Sequence, residues 1–263
     1  MTGAAAGMRA ACAPILLIAA MALPLAVAAQ PAPTADPAFP FAREVEAFAR
    51  ANASGPALRD ATLFIGSSSI RLWDIKGSFA PIATVNRGFG GATTPDVLRH
   101  YDRLLPPAPP RAVVVYVGEN DLAGGASPQD VARDLNTLLR RLRADYPRAR
   151  IACLSLKPSP IRWTLWPKMA QVNRIVATRA GALRVDMIDV GTVLLAPDGL
   201  PDASLFNPDG LHMNPAGYRR WTRLVTGWLR QDDTKPANFP IDPKSSNIIT
   251  DRKTVKTGQG DLG

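Results

Sequence analysis

Between Phe41 and Arg230 the chain alternates two hydrophobic patterns. One is a short continuous apolar run bounded by turn residues. The other is a longer stretch in which apolar residues recur every three or four positions. The runs are Ala61–Ile65, Ile82–Val85, Ala112–Val117, Ile151–Leu156 and Leu183–Ile188. They read as buried strands, and the β-branched run at Ala112–Val117 is the strongest of them. The stretches between them read as amphipathic helices. Thr94-Pro95-Asp96 starts one, with a hydroxyl cap followed by proline. Ser127-Pro128 starts another, which carries Val131, Leu135, Leu138, Leu139 and Leu142 on one face. Lys168–Ala180 is a third. Asn214-Pro215 caps the last, with Tyr218, Trp221, Leu224, Val225 and Trp228 at helical spacing. Apolar strands alternating with amphipathic helices predict an α/β fold, three layers deep, around a five-stranded parallel sheet. In such sheets ligands bind beyond the carboxyl ends of the strands, so chemistry is expected in the loops that follow them.

The ends of the chain follow other rules. Residues 1–28 have one basic residue, Arg9, then an apolar run from Pro14 to Leu25, then the small residues Ala26-Val27-Ala28. This is the pattern of a secretory signal peptide cleaved after Ala28, and the run is short for a membrane anchor. Export to the periplasm or medium is the expectation, with no stable membrane insertion after cleavage. Residues 29–40 are rich in Pro and Ala and read as a linker. Residues 231–263 are polar, their acidic and basic residues balance, and they read as a flexible tail. The folded domain is thus expected over 41–230.

Composition changes this picture little. Of the 263 residues 46% are hydrophobic and 20% charged, which is ordinary for a globular chain. The net charge of +9 is carried by basic residues scattered over helix faces, among them Arg133, Arg140, Arg141 and Arg143. No basic and aromatic platform accompanies them, so a solvated surface is expected rather than a nucleic-acid partner. Of two cysteines, Cys12 leaves with the signal peptide, and Cys153 sits in an apolar run as a small hydrophobe.

Four loops hold the candidate chemistry. They are Gly66-Ser67-Ser68-Ser69, Asn86 to Gly91, Gly118-Glu119-Asn120-Asp121, and Asp209-Gly210-Leu211-His212. Singly, each has an ordinary reading as a turn. Together they hold every part of an acyl-transfer site. A serine hydroxyl needs a base, and His212 is the better of two histidines, since His100 lies mid-helix. A base histidine needs a carboxylate on its second nitrogen, and Asp209 is one turn away. The Gly91 and Ser68 N–H groups and the Asn120 side-chain amide can stabilise an oxyanion.

This ordered set resembles the SGNH (GDSL-like) hydrolase family. Gly66-Ser67-Ser68 is similar to its Gly-Asp-Ser block, and Asn86 to Thr93 to its glycine-bearing block. Gly118-Glu119-Asn120-Asp121 matches Gly-x-Asn-Asp, and Asp209-x-x-His212 matches Asp-x-x-His. The resemblance implies a flavodoxin-like sheet and esterase, lipase or deacetylase chemistry without metal or cofactor. Ser68 takes the nucleophile position. Ser67 departs from the family's Asp, and three consecutive serines leave the register open; Ser67 is expected to end the strand and Ser69 to begin a helix. Ile70 breaks the Gly-x-Ser-x-Gly elbow of α/β-hydrolases. Small acyl or carbohydrate acetyl esters are the expected substrates. Lysophospholipids, thioesters, and transfer of acyl groups to an envelope polysaccharide compete with them, and a non-catalytic binding module is the remaining rival. No long apolar insertion offers a lid, and Trp163 and Trp166 are candidates to line a substrate pocket.

Overall fold

The computed structural model describes residues 2, 41–55 and 58–231. The expected signal peptide, linker and tail lie outside them, save Thr2 and Gln231. Five strands form one sheet: β1 (Thr62–Gly66), β2 (Thr84–Gly88), β3 (Ala112–Tyr116), β4 (Arg150–Leu154) and β5 (Asp186–Ile188). All neighbours pair in parallel, in the order β2-β1-β3-β4-β5. The helices in chain order are α1 (Ala42–Ser54), α2 (Ser68–Arg71), α3 (Ile75–Ser78), α4 (Thr94–Arg99), α5 (Tyr101–Leu104), α6 (Glu119–Ala123), α7 (Pro128–Asp145), α8 (Trp166–Ala180) and α9 (Pro215–Leu229). From β1 the chain runs outward to β2 and then returns across β1 to β3. The strand order therefore reverses between β1 and β3, which opens a crevice at their carboxyl ends.

The central strands β1 and β3 are buried along their whole length, as continuous apolar runs demand. The edge strands differ from the sequence reading. β2 runs over Thr84–Gly88, not Ile82–Val85, because its half-exposed edge accepts Thr84, Asn86 and Arg87. Asn86-Arg87-Gly88 therefore lies in the strand rather than after it. β5 is cut to Asp186–Ile188 because Gly181–Leu183 closes a 3-10 turn that ends at a left-handed Arg184. The cap of α4 is Thr93, one residue earlier than expected, in a capping box with Asp96. α8 starts at Trp166 rather than Lys168. Ser67 does not end the strand: it is the N-cap of α2, and Ser68 is the first helical residue.

Under the crevice lies an aromatic cluster. Trp221 of α9 meets Trp73, Tyr116 and Tyr218 edge-on, and its Nε1 donates to Val190 O at 3.0 Å. Its ring is fully buried. Trp221→Ala removes a large side chain and that hydrogen bond together, so it is expected to cost about 3–5 kcal/mol, read as a shifted urea midpoint. Cys153 is buried in β4, and burial pushes its thiol up to about 12, consistent with an inert core residue.

Candidate active site

Gly66 ends β1 at φ +151°, where a Cβ would stand 1.9 Å from Tyr116 O. Only glycine lets the chain leave the sheet this close to β3. The next residues wind α2, and this short helix is tied down on two sides. Tyr218 of α9 donates its hydroxyl to Ser69 O at 3.0 Å, and Asn86 of β2 donates its amide to Ile70 O at 3.0 Å. Of the three serines, Ser67 and Ser69 are buried and Ser68 is partly exposed. Ser68 stands in the first turn of α2, where backbone N–H groups lack helical partners.

His212 Nε2 lies 3.0 Å from Ser68 Oγ. Its other ring nitrogen, Nδ1, lies 2.6 Å from Asp209 Oδ2. Asp209 Oδ1 also accepts the backbone N–H groups of Leu211 and His212, each at 2.9 Å. The carboxylate thus folds its own loop into a turn that presents the ring. Burial alone would raise the Asp209 carboxyl. The hydrogen bonds from Leu211 and His212 and the His212 charge outweigh it and hold the group down at about 2. Asp209 therefore stays ionised near neutral pH.

The loops that carry Gly91 and Asn120 meet each other. Gly91 adopts φ +63°, and a Cβ there would press to 2.8 Å from the Phe41 ring. Asn120 sits at the start of α6, just past β3, and its Nδ2 donates to Ala92 O at 2.9 Å. Next to it, Asp121 accepts the Thr94 N–H at 2.9 Å. These two bonds stitch the loop after β3 to the glycine loop. They also divide the work of the pair: Asn120 holds the glycine loop, and Asp121 braces the start of α4. One amide hydrogen of Asn120 is used on Ala92, which leaves the second for a ligand. The Gly91 and Ser68 N–H groups form no bond to another described residue.

Beneath the site lies a buried ionic cluster that the sequence reading did not single out. Glu119 accepts the Tyr116 hydroxyl at 2.7 Å and the Lys157 ammonium at 3.3 Å. Lys157 is fully buried, and that burial lowers its pKa against the opposing pull of Glu119. It also donates to Leu211 O at 2.9 Å, in the loop that carries His212. Arg162 reaches Glu119 at 3.5 Å and Asn120 Oδ1 at 3.0 Å. A lysine following the buried run at Leu154–Leu156 was the one available signal. Trp166 is buried in the core and stacks on Trp163, ring centroids 6.2 Å apart, so only the partly buried Trp163 remains open to a ligand.

The sequence profile of the GDSL-like Lipase/Acylhydrolase family matches residues 71–220. That match includes Gly91, Asn120, Asp209 and His212 and begins just past Ser68. Among solved structures, a candidate platelet activating factor from Streptococcus pneumoniae is similar at TM-score 0.65 and 22% identity, covering 71% of this chain and 91% of that one. A GDSL-like lipase from Bacteroides thetaiotaomicron is similar at TM-score 0.58 and 17% identity, over 70% of this chain and 96% of that one. A lipase/acylhydrolase from Enterococcus faecalis is similar at TM-score 0.51 and 16% identity, over 65% and 95%. At these identities the likeness is one of fold. No curated protein matches the chain.

Proposed function

The chain belongs to the GDSL-like lipase/acylhydrolase family, hydrolases that act on esters, and from that premise we propose that it is an exported serine esterase working through Ser68, His212 and Asp209. The observation that carries the proposal is the run of two contacts, Ser68 Oγ to His212 Nε2 at 3.0 Å and His212 Nδ1 to Asp209 at 2.6 Å. In this reading His212 takes the Ser68 proton as the hydroxyl attacks the ester carbonyl. The Ser68 and Gly91 N–H groups and the free amide hydrogen of Asn120 receive the oxyanion. The imidazolium then protonates the leaving alcohol, and the neutral ring activates water to release the acid. No metal or cofactor is needed for these steps.

Small acyl esters and carbohydrate acetyl esters are the proposed substrates. What supports them is an open setting: the Asp209 side chain is 47% exposed and that of His212 21%. A short acyl group on a bulky alcohol suits such a site better than a long chain, which needs a deep apolar channel. The pattern in residues 1–28 supports work in the periplasm or outside the cell. Among the described residues no helix is long and apolar enough to cross a membrane.

The test is a series of p-nitrophenyl esters from acetate to palmitate, run beside acetylated xylan and peptidoglycan, with and without an added alcohol acceptor. Rates that peak at acetate or butyrate support the proposal. A peak at palmitate, or products found mainly on the added alcohol, would overturn the substrate assignment. Asn120→Ala is expected to lower kcat by about 10²–10³ with little change in KM, because its amide works on the oxyanion and not on the bound ester. A rise in KM alone would place Asn120 in substrate binding.

A further inference from the structure

Resting on the oxyanion reading above, we infer that Arg162 is a positioning residue that fixes and polarises the Asn120 amide. An asparagine amide can turn over, exchanging its oxygen and nitrogen with almost no change of shape. Here the two ends face opposite kinds of partner. Nδ2 donates to Ala92 O at 2.9 Å, and Oδ1 accepts from the Arg162 guanidinium at 3.0 Å. Turned over, the amide would set oxygen against a carbonyl and NH₂ against a cation. Arg162 therefore selects the orientation in which an amide hydrogen is left for the substrate. A charged donor on Oδ1 also draws electron density from the nitrogen, which strengthens the remaining N–H as the oxyanion forms.

Arg162 is itself held in place. Its guanidinium lies 3.5 Å from the buried carboxylate of Glu119, an ion-pair distance. Glu119 is anchored by Tyr116 and Lys157, and Lys157 also holds Leu211 O beside His212. The 3-10 segment Pro160–Leu165 that carries Arg162 is docked on the same loop, with Ile161 N–H donating to Gly210 O at 3.1 Å. One buried carboxylate thus links the loop of the base to the oxyanion donor. Arg162 thus sets a positive charge against the amide proposed to receive the oxyanion.

The experiment compares Arg162→Gln and Arg162→Lys in the wild-type and Asn120→Ala backgrounds, using a short p-nitrophenyl ester, with circular-dichroism melts as a check on folding. Arg162→Gln is expected to lower kcat roughly tenfold or more while KM holds, and Arg162→Lys to restore part of the loss. On Asn120→Ala the same substitutions should cost less than about twofold, because the residue through which Arg162 acts is gone. Equal losses on both backgrounds, a loss confined to KM, or full activity in folded Arg162→Gln would each overturn the inference. Should Arg162→Gln fail to fold, the Arg162→Lys losses on the two backgrounds decide it alone. A silent Asn120→Ala would instead sink the oxyanion reading beneath it, and the role of Arg162 with it.

Discussion

Ser68→Ala is expected to abolish ester hydrolysis, by roughly 10³-fold or more in kcat, without loss of the fold. The hydroxyl lies 3.0 Å from His212 Nε2, and its removal takes away the atom that forms the acyl bond. The binding elements and oxyanion donors remain, so a small residual rate is expected rather than none. The fold should survive because the backbone around Ser68 is held by its neighbours: Tyr218 holds Ser69 O, Asn86 holds Ile70 O, and Ser67 N–H bonds Tyr116 O. Three consecutive serines make the comparison internal. Ser67 and Ser69 are each 3% exposed and cannot meet an ester, so Ser67→Ala and Ser69→Ala should retain the nucleophile. A fluorophosphonate probe should label wild type, Ser67→Ala and Ser69→Ala, and fail on Ser68→Ala. Labelling that survives Ser68→Ala and is lost in a neighbour would put the nucleophile in another register.

The central strands and the loops after them could be read from hydrophobic pattern because their burial is continuous and local. Ala112–Val117 needs no partner information to be recognised as a strand. The edge of the sheet could not be read this way. β2 carries Asn86 and Arg87 inside the strand, and what fixes it is pairing with β1, a contact between distant segments. α1 was missed for a related reason. Val45 is its one fully buried residue, and Asn52 ties it down through Arg103 O and Leu105 O. Ser68, Asn120, Asp209 and His212 could be picked out because their residue types and order are distinctive, and the structure joins Ser68, His212 and Asp209 by hydrogen-bond contacts. Arg162, Lys157 and the role of Glu119 could not. A buried ion pair is defined by which charges meet, and Lys157 meets a carboxylate 38 residues earlier in the chain. No local spacing encodes that meeting.

Asp209→Asn tests whether the carboxylate is part of the machinery or only part of the turn. In wild type the carboxyl is held at about 2, chiefly because the Leu211 and His212 hydrogen bonds outweigh the effect of burial. A carboxyl depressed in the folded state contributes stability above its unfolded value and loses it as pH falls toward 2. Across ordinary assay conditions Asp209 therefore does not titrate. Any pH dependence of kcat/KM across that range should then arise elsewhere than in the Asp209 carboxyl. Asparagine at 209 can still accept the Leu211 and His212 N–H groups through its oxygen, so the turn should keep its shape. Its NH₂ would then face His212 Nδ1. That nitrogen must accept, which moves the ring proton to Nε2, the atom that has to receive the proton of Ser68. The charge that stabilises the imidazolium disappears as well. Together these effects predict a loss of about 10²–10⁴ in kcat. The measurement is a pH–rate profile of wild type and Asp209→Asn on a short p-nitrophenyl ester. A mutant with wild-type kcat and an unmoved profile would reduce the site to a Ser68–His212 dyad and leave Asp209 the task of shaping its loop.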